Sequence, residues 1–240
     1  MTGSNEVINP EIIFPECQKR HIFMLLMCAG GFMGAFTYIL NGGVFCNAQT
    51  ANFVLLAIAL GQGHWKNALY YLLPISAYFG GTVLSEFFPE RLKQQGSLRW
   101  DTVLVGIEIV IILGLGFLPE TAPFQITQIA INFIASMQYN TFRQARNIPM
   151  ATTFCTNHLR QTGIYIRKWV KTKNSETGKR ILIHLAMIGI FVAGCIICTL
   201  LCPVFKGKAI WGAEIPLAIV FIDLLNADLK EGKSQTGNHK

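Results

Sequence analysis

The sequence predicts an all-α fold, a polytopic bundle of membrane helices, and three observations lead to that prediction. Hydrophobic residues make up 52% of the chain and charged residues only 14%, whereas about a quarter of the residues in a soluble domain are charged. The apolar residues are collected into eight runs, most of them long enough to cross a hydrocarbon core about 30 Å thick as helices. The polar stretches between the runs are short. This organisation excludes a separate soluble catalytic domain.

The apolar runs differ in how continuous they are. Polar residues interrupt the second and the sixth run, and an unsatisfied polar group costs several kcal/mol in lipid. These two runs must therefore line a cavity, pack inside the protein or lie at the membrane surface. We predict six spanning helices plus two short polar or re-entrant helices, with seven or eight crossings as open alternatives. The runs cover residues 21–40, 44–60, 68–88, 102–118, 124–142, 151–166, 181–205 and 210–225.

Lysine and arginine residues indicate the topology. They form three clusters, at residues 19–20, 91–99 and 167–180, and none lies in the loop at 119–123. Short cytoplasmic loops are enriched in these residues, and all three clusters face the cytoplasm only if the second and sixth runs do not cross the membrane. Both termini are then cytoplasmic. The net charge of +7 is accounted for by these loops, so no nucleic-acid partner is expected.

An internal repeat is indicated when the chain is shifted by 106 residues. The shift keeps the order of the helices and superposes the two polar runs. It aligns Phe36 with Phe142, Asn41 with Asn147, Thr50 with Thr156, and residues 106–109 with residues 212–215. Three crossings per repeat, an odd number, predict that the second repeat is inverted relative to the first. Chance similarity between apolar helices is the alternative.

The repeat defines the predicted organisation of the chain. A polar leader covers residues 1–19, the first membrane repeat residues 20–120, the second residues 121–227, and a polar tail residues 228–240. The first apolar run has no cleavage site, so we expect it to be a retained helix.

Two carboxylates are predicted to couple the protein to protons or ions. Glu108 lies near the middle of the fourth run, and Glu214 is its repeat counterpart in the eighth. A carboxylate at the centre of a spanning helix costs about 2.5 to 3.5 kcal/mol on insertion scales, so it needs a partner, water or a proton. His184 is the predicted partner. The alternative is a carboxyl group that only joins two helices.

Neutral polar side chains of the second and sixth runs, with the end of the fifth, are predicted to bind a small solute. Amide and hydroxyl groups can bind a neutral or zwitterionic solute, or satisfy the backbone at the end of a half-helix. Hydrogen bonding between helices is the alternative. The predicted substrate-binding residues are Asn47, Gln49, Thr50, Asn52, Gln138, Asn140, Thr153, Thr156, Asn157 and His158.

Neither a cofactor nor a metal site is predicted. Cys155 and His158 can share a helical face, but two ligands do not define a metal site. The chain also lacks a recognisable pair of nucleophile and base, so enzymatic activity is not expected.

Several motifs resemble those of the YoaK family, small bacterial membrane proteins of unknown function. Residues 31–35, 42–45 and 49–52 are similar to the first two segments of that family, and residues 137–140 and 152–157 to its second-half signature. The resemblance covers residues 20–225 and implies a multi-pass protein of the bacterial inner membrane, without supplying a substrate. Gly34 stands where the family usually has Asp. This difference removes an intramembrane charge, and with it a candidate for ion coupling.

The sequence thus predicts a small-solute transporter or permease of unknown substrate, linked to protons through Glu108. Paired polar half-helices at corresponding positions of two repeats are typical of transporter binding sites. The alternative is a membrane scaffold or partner subunit that does not transport. The expected partners are the lipid bilayer and a small-molecule solute, and homo-oligomerisation is left open.

Overall fold

The fold is all-α, apart from one short hairpin. The computed structural model describes residues 14–95 and 98–237, with side chains throughout except at 89–95 and 232–237. The first 13 residues of the predicted leader and the last three of the tail lie outside this part. The helices are α1 (Arg20–Leu40), α2 (Gln49–Gly61), α3 (Trp65–Gln95), α4 (Trp100–Leu115), α5 (Phe124–Thr141), α6 (Thr156–Thr172), α7 (Ser175–Phe205) and α8 (Glu214–Gly237).

The remaining regular elements are short. Two 3-10 helices cover Glu16–Gln18 and Lys206–Ala213, and an antiparallel hairpin joins β1 (Gln144–Ala145) to β2 (Ile148–Pro149). The second 3-10 helix fills the start of the eighth predicted run, so α8 begins only at Glu214. In the other direction α8 continues past residue 227 into the predicted tail.

Three helical stretches of the described chain are long and apolar enough to cross a membrane. They are Arg20–Leu40, Trp65–Phe88 and Ser175–Glu231, the last of which contains α7, the second 3-10 helix and α8. By length and composition alone, α4 and α5 are not among these candidate membrane-spanning stretches. α4 has only 16 residues, and α5 carries polar side chains along its length. Large apolar side chains are exposed on α4, α7 and α8, among them Val110, Leu200, Val204 and Ile215. Such a surface is expected where a protein meets lipid.

Helix α1 lies at the centre of the bundle. Six of its apolar side chains are fully buried: Ile22, Phe23, Leu26, Met27, Ala29 and Met33. α1 packs against α7 and α8, and α5 packs against α3 and α4. The short helices lie beside these pairs, α2 on α3 and α6 on α7.

Glycine permits the closest of these helix contacts. A Cβ atom on Gly194 of α7 would collide with the carbonyl oxygen of Cys28 in α1, and one on Gly31 with the carbonyl oxygen of Phe191. On the α3–α5 side, a Cβ atom on Gly81 would meet the carbonyl oxygen of Phe133. Small residues allow helix backbones to approach in this way in membranes.

Helices α4 and α8 pack antiparallel and are fastened at both ends. At one end the indole of Trp211, in the 3-10 helix before α8, donates to the carbonyl oxygen of Leu113 (3.1 Å). At the other end the Asp228 carboxylate accepts bonds from the Thr102 hydroxyl (2.7 Å) and the Arg99 backbone N–H (3.0 Å). Asp228 therefore caps the start of α4, where a negative charge is favourable.

The two polar runs are only partly helical. α2 begins at Gln49 and α6 at Thr156, about five residues later than the apolar pattern of each run. The residues before each helix form non-helical segments, here named loop A (residues 41–48) and loop B (residues 142–155). In loop A, Gly42 and Gly43 have positive φ angles of 76° and 71°, a conformation that glycine adopts without strain.

Candidate functional site

Loops A and B meet at one point on α1. The Asn47 side-chain amide of loop A donates to the carbonyl oxygen of Gly30 (3.2 Å). The Thr152 carbonyl oxygen of loop B lies 2.6 Å from the place that a Cβ atom on Gly30 would occupy. The structure therefore brings Asn47 and the Thr152–Thr153 pair, which come from the two polar runs, to the same turn of α1.

Each loop is held by a side chain from the helix that follows it. In the first half, Asn52 is fully buried; its Oδ1 accepts from the Phe45 N–H (3.2 Å) and its Nδ2 donates to the Phe45 carbonyl oxygen (2.7 Å). In the second half, Nε2 of the buried His158 lies 2.9 Å from the Ala151 carbonyl oxygen. His158 and Ala151 are the residues that the repeat aligns with Asn52 and Phe45. The two predicted polar residues thus make equivalent contacts.

A chain of amide hydrogen bonds extends from Asn52 across the bundle to α5. The Asn52 amide donates to Gln49 Oε1 (3.0 Å), and Gln49 Nε2 donates to Asn132 Oδ1 (2.7 Å). Asn132 in turn donates to the Gln128 carbonyl oxygen (2.7 Å), and Gln128 Nε2 donates to the Asn41 carbonyl oxygen (2.6 Å). Gln49 and Asn52 therefore spend much of their bonding capacity on fixing loop A.

Asn132 and Gln128 were missed by sequence reasoning. Both are fully buried, and they lie four residues apart on one face of α5, followed on the same face by Ser136. That spacing places them above one another along a helix. The polar face within the fifth run was the signal that could have found them.

Where loops A and B meet α1, here named the loop crossing, three polar groups have no hydrogen-bond partner among the described residues. Gln138 Nε2 donates weakly to the Leu26 carbonyl oxygen (3.4 Å), but its Oε1 makes no hydrogen bond, and neither do the hydroxyls of Thr152 and Thr153. All three side chains are fully buried. They lie against α1 at Leu26 and Gly30, which are one helical turn apart. Since buried polar groups normally have partners, these groups offer hydrogen bonds to a small polar molecule or to water.

Other predicted site residues lie away from the crossing. Thr50 and Thr156 are exposed, and Asn157 is partly buried. Asn140 donates to Ser85 Oγ (2.7 Å) and to Glu86 Oε1 (2.8 Å), near an ion pair between Glu86 and Arg143. These four residues are therefore not brought together with Asn47 and Thr153.

His158 pairs with His184 and not with a carboxylate. The two Nδ1 atoms are 3.0 Å apart, both imidazoles are buried, and the Tyr165 ring stacks on His184 at 5.6 Å. Among the described residues neither Glu108 oxygen makes a hydrogen bond, so the structure shows no contact between His184 and Glu108, and their partnership stays a prediction. The sequence could not reveal this pair, since the two histidines are 26 residues apart and meet only when α6 folds back on α7.

Glu108 and Glu214 lie on the α4–α8 pair. The Glu108 side chain is fully buried, and both of its oxygens lack a partner among the described residues. Glu214 has one buried oxygen, Oε1, that also lacks one. Both groups are thus placed on contacting helices, away from the hydrogen bonds of loops A and B.

A groove at the end of the bundle is lined by several charged side chains. Arg99, Asp101, Glu86, Arg143 and Cys17 all line it. Arg99 Nη2 donates to Cys17 Sγ (3.1 Å). Burial, with the neighbouring negative charge of Asp101, raises the pKa of the Cys17 thiol to about 12. This thiol is therefore unreactive at neutral pH.

The fold and its interior define a class of protein: an all-α protein with helices of membrane-spanning length and a polar crossing of two non-helical segments inside. The chain belongs to the family described as "Protein of unknown function (DUF1275)", whose sequence model matches residues 22–222. That range contains both loops and every residue of the crossing. No curated protein and no solved structure matches the chain.

Proposed function

We propose that this protein is a small-solute transporter or permease of the bacterial inner membrane, with its binding site where loops A and B meet α1. The observation that carries the proposal is that two broken elements, one from each half of the chain, converge at Gly30. Three buried polar groups lie beside them, without partners in the part of the chain that the structure describes. Transporters built from inverted repeats place their substrate at such paired discontinuous helices.

The proposed architecture is a pair of inverted repeats, each with three crossings and one short helix. The helix contacts support it, because the α1–α7, α2–α3 and α1–α8 contacts have counterparts in α5–α3, α6–α7 and α5–α4 when the first four helices are exchanged with the last four. The α4–α8 pair maps onto itself. The equivalent contacts of Asn52 and His158 support the same alignment at the level of single residues.

The solute that fits this site is small, polar and without net charge. The groups offered to it are the hydroxyls of Thr152 and Thr153 and the amide oxygen of Gln138. No Lys, Arg, Asp or Glu takes part in the hydrogen bonds of the loop crossing within the described residues. A net charge on the solute would therefore be buried without compensation. Coupling to protons is assigned to Glu108, with Glu214 as its repeat counterpart.

A scaffold or partner subunit is the second candidate. The chain of amides from Asn52 to Gln128 favours it, since these groups already satisfy one another and join α2 to α5. This reading predicts that the loop crossing is closed to water from both sides of the membrane.

Thiol labelling separates the two candidates. We would place single cysteines at Thr153 and Gln138 in a chain without native cysteines, and at Thr37 as the control. Thr37 is equally buried, but its hydroxyl bonds to the carbonyl oxygens of Met33 and Gly34. A membrane-impermeant reagent that labels positions 153 and 138 but not 37 supports the transporter. Protection of all three positions from both sides supports the scaffold.

Solute uptake tests the binding residues directly. Uptake would be measured in proteoliposomes supplied with each member of a panel of small neutral and zwitterionic solutes. Thr153→Val should reduce uptake at least tenfold, while Thr37→Val should leave it near the wild-type rate. Equal rates for the two variants would remove Thr153 from the site.

A further inference from the structure

Three metal-ligating side chains meet at one end of the bundle, remote from the loop crossing. Glu16 belongs to the first 3-10 helix, His21 to the first turn of α1, and Asp223 to α8. Their ligand atoms all lie within 4.8 Å of one another. The three residues come from separate elements, so their proximity is a product of the fold and not of sequence spacing alone.

The two distances from His21 are close to those between ligand atoms around a tetrahedral zinc ion. His21 Nε2 lies 3.2 Å from Asp223 Oδ2 and 3.6 Å from Glu16 Oε1. Ligand atoms bound to Zn²⁺ at about 2.0 to 2.2 Å in a tetrahedron are about 3.3 to 3.6 Å apart. The single imidazole nitrogen therefore already stands at the right separation from one oxygen of each carboxylate.

A single hydrogen bond from His21 accounts for only one of its two carboxylate contacts. The same nitrogen, Nε2, faces both carboxylates, and one N–H can serve Asp223 at 3.2 Å but not Glu16 at 3.6 Å, which is beyond hydrogen-bond distance. Lys19 binds the other oxygen of Glu16, Oε2, at 2.5 Å. Glu16 Oε1 is thereby left directed at His21.

We propose that Glu16, His21 and Asp223 form a binding site for a divalent transition-metal ion, with Zn²⁺ the best fit. One imidazole nitrogen and two carboxylate oxygens are a ligand set that zinc accepts, with a fourth position left for water. Asp223 and Glu16 supply the negative charge that the ion needs, and the ion shares the charge of Glu16 with Lys19. Binding requires the Nε2 lone pair, so a protonated His21 loses its Nε2 proton to solvent as the metal enters.

The ion would tie the start of the chain to α8. Glu16 precedes the first membrane helix and Asp223 lies in the last, so a shared metal would fix the segment before α1 to α8. All three side chains are partly exposed, which gives an ion a path from solvent. This proposal is independent of transport, because none of the three residues takes part in the loop crossing.

The test is metal binding by the purified full-length chain in detergent. Zn²⁺ titration followed by calorimetry should give one site, and Co²⁺ should give the visible absorption of a tetrahedral complex without the near-ultraviolet band of thiolate ligands. Asp223→Asn and His21→Gln should each weaken Zn²⁺ binding by about tenfold or more, since removing a ligand costs at least as much as removing the group that orients one.

Two control variants separate this site from others on the chain. His64→Gln removes an exposed histidine, and Glu120→Gln removes an exposed carboxylate that pairs with Lys206 (3.0 Å). Both should bind Zn²⁺ as the wild type does. Zn²⁺ should also raise the melting temperature of the wild type and of these controls, but not that of Asp223→Asn. Absence of binding to the wild type, a thiolate band, or unchanged binding by Asp223→Asn and His21→Gln would each overturn the proposal.

Discussion

His158 and His184 face each other through their Nδ1 atoms, 3.0 Å apart, so one nitrogen must donate and the other accept. The other ring nitrogen of His158 decides which Nδ1 donates, because His158 Nε2 lies 2.9 Å from the Ala151 carbonyl oxygen, which can only accept. With both rings neutral, His158 carries its proton on Nε2, and His184 donates through Nδ1. The buried Nε2 of His184 is then a bare acceptor without a partner. Loop B is thus linked to α7 through a directed pair of imidazoles.

The first prediction follows from this order of donors. His184→Ala removes the donor to His158 Nδ1 and leaves a buried acceptor unsatisfied, which costs about 1 to 3 kcal/mol. We expect a lower melting temperature in thermal unfolding of the detergent-solubilised protein. The control is His64→Ala, at an exposed turn position, which should not change it. Equal melting temperatures for the two variants would mean that the imidazole pair does not stabilise the fold.

A second prediction concerns two glycines of the same helix. A Cβ atom on Gly194 would collide with the Cys28 carbonyl oxygen, whereas one on Gly189 would meet nothing within 4 Å. Gly194→Ala should therefore destabilise the protein by about 1 to 3 kcal/mol, the range for overpacking. Gly189→Ala should be neutral or stabilise it by about 0.5 to 1 kcal/mol, because alanine loses less entropy in a helix than glycine does. Unfolding measured side by side decides the sign, and destabilisation by both substitutions to the same extent would argue against the close α1–α7 contact.

The hydrophobic pattern predicted some helices correctly, but it did not predict where others begin. The run at 21–40 is confirmed as α1, Arg20–Leu40, because an unbroken apolar segment has few alternatives to a helix in a membrane. The late starts of α2 and α6 were not predicted. They depend on Asn52 and His158 holding the backbone of a residue seven positions earlier, and no apolar pattern records such a bond.

The candidate site was also predicted only in part. Asn47 and Thr153 could be named because polar residues inside an apolar run are unusual. Gln128 and Asn132 are also polar residues inside an apolar run, but the pattern does not show what they bind, since their partners Asn41 and Gln49 lie more than 80 positions away. The proximity of Glu16, His21 and Asp223 likewise depends on the packing of α8 beside α1, which the sequence does not show.

A third prediction uses the pKa of Cys17, about 12, in the charged groove. A thiol three units above its ordinary value of 9.0 has about a thousandfold less thiolate at pH 8, and the thiolate is the reacting species. With the other six cysteines replaced, iodoacetamide should modify Cys17 about a thousandfold more slowly than a cysteine placed at Ser175, which is exposed in the basic segment at the start of α7. Asp101→Asn removes the negative charge that raises this pKa, so it should speed the reaction. Labelling of the two cysteines at similar rates would contradict the assigned environment.

The last prediction addresses Glu108 and separates its role in folding from its role in transport. Both Glu108 oxygens lack a hydrogen-bond partner among the described residues, so Glu108→Gln loses no hydrogen bond and replaces the carboxyl group by an amide that cannot ionise. We expect the stability of this variant to equal or exceed that of the wild type, within about 0.5 kcal/mol on the lower side. In proteoliposomes with an imposed pH gradient, uptake driven by the gradient should be lost, while solute exchange without a gradient should persist. Glu120→Gln, at an exposed position, is the matched control and should retain gradient-driven uptake. Gradient-driven uptake by Glu108→Gln at the wild-type rate would exclude Glu108 as the coupling group, whereas a large loss of stability would place an unrecognised partner beside its carboxylate.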